Sequence, residues 1–311
     1  MNGQIAKETL FLHNAEMGLG AWAWGDRVMW HYGQGYTDDD IQAAFQTSLA
    51  AGVNLVDTAE AYGSGRSERL LGQFIKSTDK PVLVATKFMP FPWRLGKHAL
   101  LNALRRSLER LDLEHVDLYQ IHWPFPPFPV EHWVEGLAEA VRAKLTHTVG
   151  VSNYNKSQMQ RAYNLLARQD IPLASNQVEY HLLDRTVEKN GLLERCQELN
   201  VRLIAYSPLA KGLLTGKYTL EKLPPGIRGA KAAGILGHIS PLLQLMAEIG
   251  QEHGGKTTGQ VALNWVICKG ALPIPGAKNA SQAAQNVGAL GWRLTTEQVK
   301  ALDEASDQTM K

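Results

Sequence analysis

Eight short apolar runs, with helical periodicity between most of them, constrain the fold of this chain more than any other feature. The runs are 17–20, 53–56, 82–85, 116–121, 148–152, 174–178, 202–206 and 272–275. Each is too short to be a buried helix and reads as a buried strand. Helical patterns over 37–51, 67–76, 97–111, 131–144, 157–168, 191–199 and 258–269 separate them. Strands joined through a helix return parallel to one another. No shift in composition marks a linker. The rhythm predicts one α/β domain over residues 1–311, a (β/α)8 TIM barrel, in preference to a doubly wound sheet.

Local signals agree. Thr37 and the aspartates Asp38, Asp39 and Asp40 suit the positive end of a helix dipole, and Gly52 suits its close. Ser67 and Glu68 suit a second helix start. Leu100, Leu101, Leu104, Leu108 and Leu111 fall on one helical face. Residues 123–130 carry Pro124, Pro126, Pro127 and Pro129, which excludes helix interior and predicts a loop rimming the barrel mouth. Residues 211–240, rich in Gly, Pro and Lys, predict a long loop able to fold over a ligand.

The bulk numbers exclude several classes. With 311 residues and a net charge of +2, the chain has no electrostatic case for nucleic acid. No apolar stretch approaches the roughly 18 residues of a membrane span. Residues 1–13 lack a basic segment followed by an apolar core, so no secretory signal is read there. Cys196 and Cys268 read as reduced thiols. The expectation is a cytoplasmic protein, monomeric or weakly oligomeric, acting on a small molecule; a removed organelle transit peptide stays open. His13, His98, His115 and His132 show no metal-ligand spacing, and no metal is expected.

Four polar residues sit at or just past strand ends: Asp57, Tyr62, Lys87 and His122. A parallel barrel gathers such ends around one mouth. A tyrosine is a weak acid, with a pKa near 10. A nearby ammonium favours its phenolate and makes it a better proton donor, and a buried carboxylate can hold that ammonium. An imidazole can orient a carbonyl oxygen. The set suits carbonyl reduction, in which oxygen gains a proton as carbon gains a hydride.

At this point the sequence resembles the aldo-keto reductase superfamily over nearly its whole length. The matching pieces are Gly18-Leu19-Gly20-Ala21-Trp22, Asp57-Thr58-Ala59-x-x-Tyr62-Gly63, Ala85-Thr86-Lys87 and Asp117-Leu118-Tyr119-Gln120-Ile121-His122-Trp123. They continue in Gly150-Val151-Ser152-Asn153-Tyr154, Asn176-Gln177-Val178-Glu179-Tyr180, Ala205-Tyr206-Ser207-Pro208-Leu209 and Pro273-Ile274-Pro275-Gly276-Ala277-Lys278. Each alone is weak; in this order they are specific. Trp22-Ala23-Trp24-Gly25 and Gly288-Ala289-Leu290-Gly291-Trp292 look most like the plant and cyanobacterial branch that includes pyridoxal reductase.

The resemblance implies NADPH, with NADH less favoured, held at the barrel mouth without a Rossmann fold. Gly18-x-Gly20 is not completed to G-x-G-x-x-G, in keeping with that. By the same resemblance Ser152, Asn153 and Gln177 hold the nicotinamide carboxamide, and Tyr206 stacks on the ring. Ser207, Leu209 and Gly212 line the pyrophosphate path. Lys278 and Asn279 meet a 2′-phosphate, and Gln282 and Asn286 contact the adenine. Relatives often carry arginine at the position of Gln282 and glutamate at that of Gln285, which weakens a strict NADPH preference. Trp22, Trp24, Trp93 and Trp123 fall in mouth segments as candidate substrate walls, with Trp30 and His31 nearby, and Arg94 is a candidate anchor for an anionic substrate group.

Two other readings stand beside a carbonyl reductase. One is a nicotinamide-binding regulatory or redox-sensing subunit with little turnover. The other is a barrel enzyme that uses Lys87 for a Schiff base, which leaves Tyr62 unexplained. Pyridoxal is the specific substrate expectation, and generic aldehydes the broader one.

Overall fold

The computed structural model describes residues 7–96, 98–125, 128–225 and 227–309. Eight strands follow the chain: β1 (Leu19–Gly20), β2 (Leu55–Asp57), β3 (Leu83–Phe88), β4 (Val116–Ile121), β5 (Thr146–Ser152), β6 (Leu173–Glu179), β7 (Arg202–Tyr206) and β8 (Leu272–Pro273). They pair in sequence order, all parallel. Gly18 N and Gly20 N donate to Pro273 O and Pro275 O at 3.0 and 3.1 Å, and Gly20 bridges Gly276, so the sheet closes on itself. The result is a (β/α)8 barrel. Closure needs glycine at position 20, where a Cβ would stand 2.8 Å from the Ile274 carbonyl oxygen.

Helices cover the outside: α1 (Leu10–Asn14), α2 (Asp38–Ala50), α3 (Arg66–Lys76), α4 (Ala99–Leu111), α5 (Val130–Arg142), α6 (Lys156–Ala167) and α7 (Thr186–Lys189). They continue with α8 (Leu192–Glu198), α9 (Ile227–Leu236), α10 (Ser240–Glu252), α11 (Thr258–Cys268), α12 (Ala280–Val287) and α13 (Thr296–Thr309). Capping boxes start four of them: Thr37 with Asp40, Asn155 with Gln158, Thr257 with Gln260, and Thr295 with Gln298. Along α4 the five leucines at helical spacing are all buried against the barrel.

The barrel interior is built in layers, as period-two alternation demands. Leu55, Ala85, Leu118, Ile204 and Leu272 form an apolar layer, sealed from below by Leu12 of α1, which is 0% exposed. Two residues further along three of these strands the same face carries Asp57, Lys87 and Gln120. On these three strands the polar interior residues thus stand at one end.

Several sequence expectations need adjustment. Strand β3 runs to Phe88, so Lys87 lies inside it rather than past it. The 211–240 segment is not a plain loop: it holds a 3-10 turn at Ala210–Thr215 and helix α9. Helices α1, α7, α10, α12 and α13 were not among the expected ones. Pro126 and Pro127 of the mouth loop, Lys97 at the expected start of the third helix, and residues 1–6 of the N-terminal segment lie outside the described residues.

Candidate active site

Strand register brings the polar ends together. Asp57 aligns with Ala85, Lys87 with Gln120, and Ser152 with Gln177. Lys87 Nζ donates to Asp57 Oδ2 at 2.5 Å, to Thr58 O at 2.9 Å and to the Tyr62 hydroxyl at 3.3 Å. An ammonium has three protons, and all three are used. The other Asp57 oxygen accepts from Gln177 Nε2 at 2.8 Å and from Gln120 Nε2 at 3.4 Å. Gln120, buried and unforeseen, shares its strand face with Leu118 and with His122, a spacing that could have found it. The Tyr62 and His122 rings meet edge to face with centroids 5.7 Å apart. His122 Nδ1 is buried with no hydrogen-bond partner among the described residues.

Burial dominates the acid–base balance. It raises the Tyr62 pKa well above the ordinary phenol value, and the Asp57 charge adds to that. In this state Tyr62 therefore holds its proton. Burial also lowers the Lys87 pKa, against the pull of Asp57 and Glu68. His122 falls to about 3, from burial first and the Lys87 charge second, so its imidazole is neutral.

Asp57, Tyr62, His122 and Gln177 face a cavity of about 1000 Å³, and Lys87 lies behind them, outside its lining. Trp22, Trp30, Met89 and Trp123 wall one part of it, with Trp22 edge-on to Trp30 at 5.5 Å and tilted beside Tyr62 at 6.3 Å. From there the cavity runs past Ser152, Asn153, Gln177 and Tyr206, along Ser207, Leu209 and Gly212, to Lys278, Gln282 and Asn286. Asn153 takes a left-handed φ of +61° and donates to His122 O at 3.0 Å, while Tyr206 donates to Asn153 Oδ1 at 3.0 Å. Ser152 Oγ donates to Gln177 O at 2.8 Å. Ser207, Lys211 and Gly212 all take positive φ, which bends the backbone around the cavity. Lys278 Nζ donates to Trp30 O at 2.9 Å and sits over the Tyr36 ring at 4.4 Å, fixing a cation at the far end. Glu179 lines the cavity too; the His181 hydrogen bond, with help from Lys211, holds its carboxyl at about 2.

Four sequence expectations do not meet the cavity. Trp24 is 0% exposed and lies in the core, packed on Phe74 with its indole N–H donating to Ala277 O at 3.1 Å. Trp93 is 73% exposed and stacks on Phe91 outside the cavity lining. Asn279 caps α12, accepting from Gln282 N, and is not in the lining. Arg94 is paired with Glu60 through Nη1 and Nη2 and is not in the lining.

The sequence profile described as "Aldo/keto reductase family" matches residues 16–307. The chain belongs to that family. As an aldo-keto reductase it is an NAD(P)H-dependent oxidoreductase. It is 43% identical over 308 residues to "Pyridoxal reductase, chloroplastic" of Arabidopsis thaliana, covering 95% of this chain and 84% of that protein. It is 31% identical over 301 residues to the L-glyceraldehyde 3-phosphate reductase of Escherichia coli (strain K12), covering 89% and 86%. Among solved structures, an aldo-keto reductase from Klebsiella pneumoniae in complex with NADPH superposes with a TM-score of 0.74 at 31% identity, covering 93% of this chain and 90% of that one. No helix among the described residues of this reductase is long and apolar enough to cross a membrane.

Proposed function

We propose that this reductase converts planar aromatic aldehydes, pyridoxal among them, to alcohols, with Tyr62 as the proton donor. The observation that carries the reading is the Tyr62 hydroxyl, 3.3 Å from Lys87 Nζ and beside His122, in a cavity walled by Trp22, Trp30 and Trp123. Indole walls favour a flat ring over a flexible chain.

NADPH is the reductant, and when bound it supplies the hydride. The residues fit it. Unpartnered His122 Nδ1, the Gln177 amide fixed by Asp57, and Asn153 between His122 and Tyr206 bound the cavity at one end. The ammonium of Lys278 stands at the other. Ser152, Asn153 and Gln177 would hold the carboxamide, Tyr206 the ring face, and Ser207, Leu209 and Gly212 the phosphate path. Lys278, Gln282 and Asn286 would hold the adenosine end.

Tyr62 keeps its proton until the carbonyl oxygen gathers charge, then donates it. The Lys87 ammonium stabilises the phenolate left behind, and Asp57 holds that ammonium in place. Neutral His122 orients the carbonyl oxygen without competing for the proton. A Schiff base at Lys87 disagrees with an amine whose three protons are all engaged. The regulatory-subunit reading is weakened by the assembled donor set.

The test is NADPH oxidation with pyridoxal, simple aldehydes and ketones, repeated with NADH. Pyridoxal and aromatic aldehydes should turn over faster than aliphatic ketones. Tight NADPH binding with no turnover on any carbonyl would favour the regulatory reading instead.

A further inference from the structure

We propose that Glu60 and Arg94 are positioning residues that hold the Tyr62 phenol at working distance from Lys87; the inference rests on the proton-donor role proposed above. Glu60 lies two residues before Tyr62, in the turn that follows β2. Its carboxylate grips Arg94 as a two-pronged fork, Nη1 to Oε1 at 2.5 Å and Nη2 to Oε2 at 3.0 Å. The pair also captures both backbone polar groups of Met89, two residues beyond Lys87. Met89 N donates to Glu60 Oε1 at 2.7 Å, and Arg94 Nη1 donates to Met89 O at 2.9 Å. Glu60 N reaches Lys87 O at 3.4 Å, and the guanidinium packs over the rings of Phe88 and Phe91 at 5.0 and 5.3 Å.

The turn bearing Tyr62 is thereby fastened to the end of the strand bearing Lys87. That turn needs fastening. Gly63 and Ser64 both take φ of +55°, and the link from Tyr62 to Lys87 is itself long. Neither Glu60 nor Arg94 lines the cavity, whereas Ala61, Tyr62 and Met89 do. The pair therefore acts on the reaction only through its neighbours. It differs from an ordinary surface ion pair, because the side chains are 7% and 18% exposed and the geometry is bidentate. Misplacing a reacting group by about 1 Å costs roughly a hundredfold in rate.

The test is a cycle of Arg94→Lys and Tyr62→Phe. Lysine keeps the charge and removes the fork. Turnover is expressed per NADPH-binding site, counted by fluorescence titration, so that loss of folded protein cancels. Arg94→Lys should lower turnover per site by about tenfold or more, with the NADPH dissociation constant changed less than about twofold on the same argument. In the Tyr62→Phe background the same change should cost almost nothing, because the group it positions is gone. Unchanged turnover per site in Arg94→Lys overturns the proposal. So does an equal loss in both backgrounds, which is the mark of a merely structural pair. Glu60→Gln runs the same cycle if Arg94→Lys does not fold. If Tyr62→Phe is fully active, the proton-donor reading fails and takes this one with it. If Tyr62→Phe is inactive and Arg94→Lys normal, only the positioning role fails.

Discussion

At the scale of single residues, the site is a contest between burial and charge, and burial prevails. Tyr62 is held protonated, so Tyr62→Phe should remove on the order of 10²- to 10⁴-fold of kcat, with NADPH affinity kept, as read by steady-state rates and fluorescence titration. His122 gives a pH signature of opposite kind. Its ordinary value is 6.5 and its folded value about 3. Between those limits the unfolded chain binds a proton that the folded one refuses, so folding stability rises with pH across the window and is lost as pH falls. The slope for one such group is about 1.4 kcal/mol per pH unit. Denaturant titrations from pH 4 to 6.5 should show a shallower acid loss in His122→Asn than in the parent. The same depression means that no rate inflection near 6.5 should trace to His122. Residue positions were legible where strand period and motif coincide, as for Asp57, Lys87 and His122. Trp24 and Trp93 misled because an indole beside a strand end suits a cavity wall, a core or a surface equally well. Glu60 was invisible because turns have no period.

Among elements, the closing joint between β1 and β8 is the shortest in length. Each of these strands has two residues. The joint closes only because position 20 has no side chain: a Cβ there would meet the Ile274 carbonyl oxygen at 2.8 Å, whereas one at Gly276 would meet nothing nearer than Gly20 O at 3.5 Å. Gly20→Ala should therefore cost about 1–3 kcal/mol of stability, and Gly276→Ala much less, measured by chemical denaturation. The strand–helix alternation was readable because buried strands and one-sided helices repeat on different periods. The helices that escaped notice lack that contrast. Among the fourteen residues of α13 the buried ones are Leu302 and Ser306, too few for a stripe. Helix α10 carries a proline in its first turn, which reads as a break although it is tolerated there. Helix α12 is eight residues long.

For the whole molecule, the division of labour runs along the barrel axis: apolar layers below, hydrogen-bonding groups above. Leu12 is the lowest piece, packed with Leu55, Leu118, Leu272 and Ile274. Leu12→Ala should cost about 2–5 kcal/mol of stability while leaving kcat unchanged below the new melting temperature, since it lies at the end opposite Tyr62. Its placement also bears on assembly. The cork is synthesised before every stave, and the last staves it must touch, at Leu272 and Ile274, come far later along the chain. A nascent chain on the ribosome therefore cannot complete this vessel piecemeal. It must carry an unsealed floor until β8 has emerged, a long-range closure of the sort that slows folding.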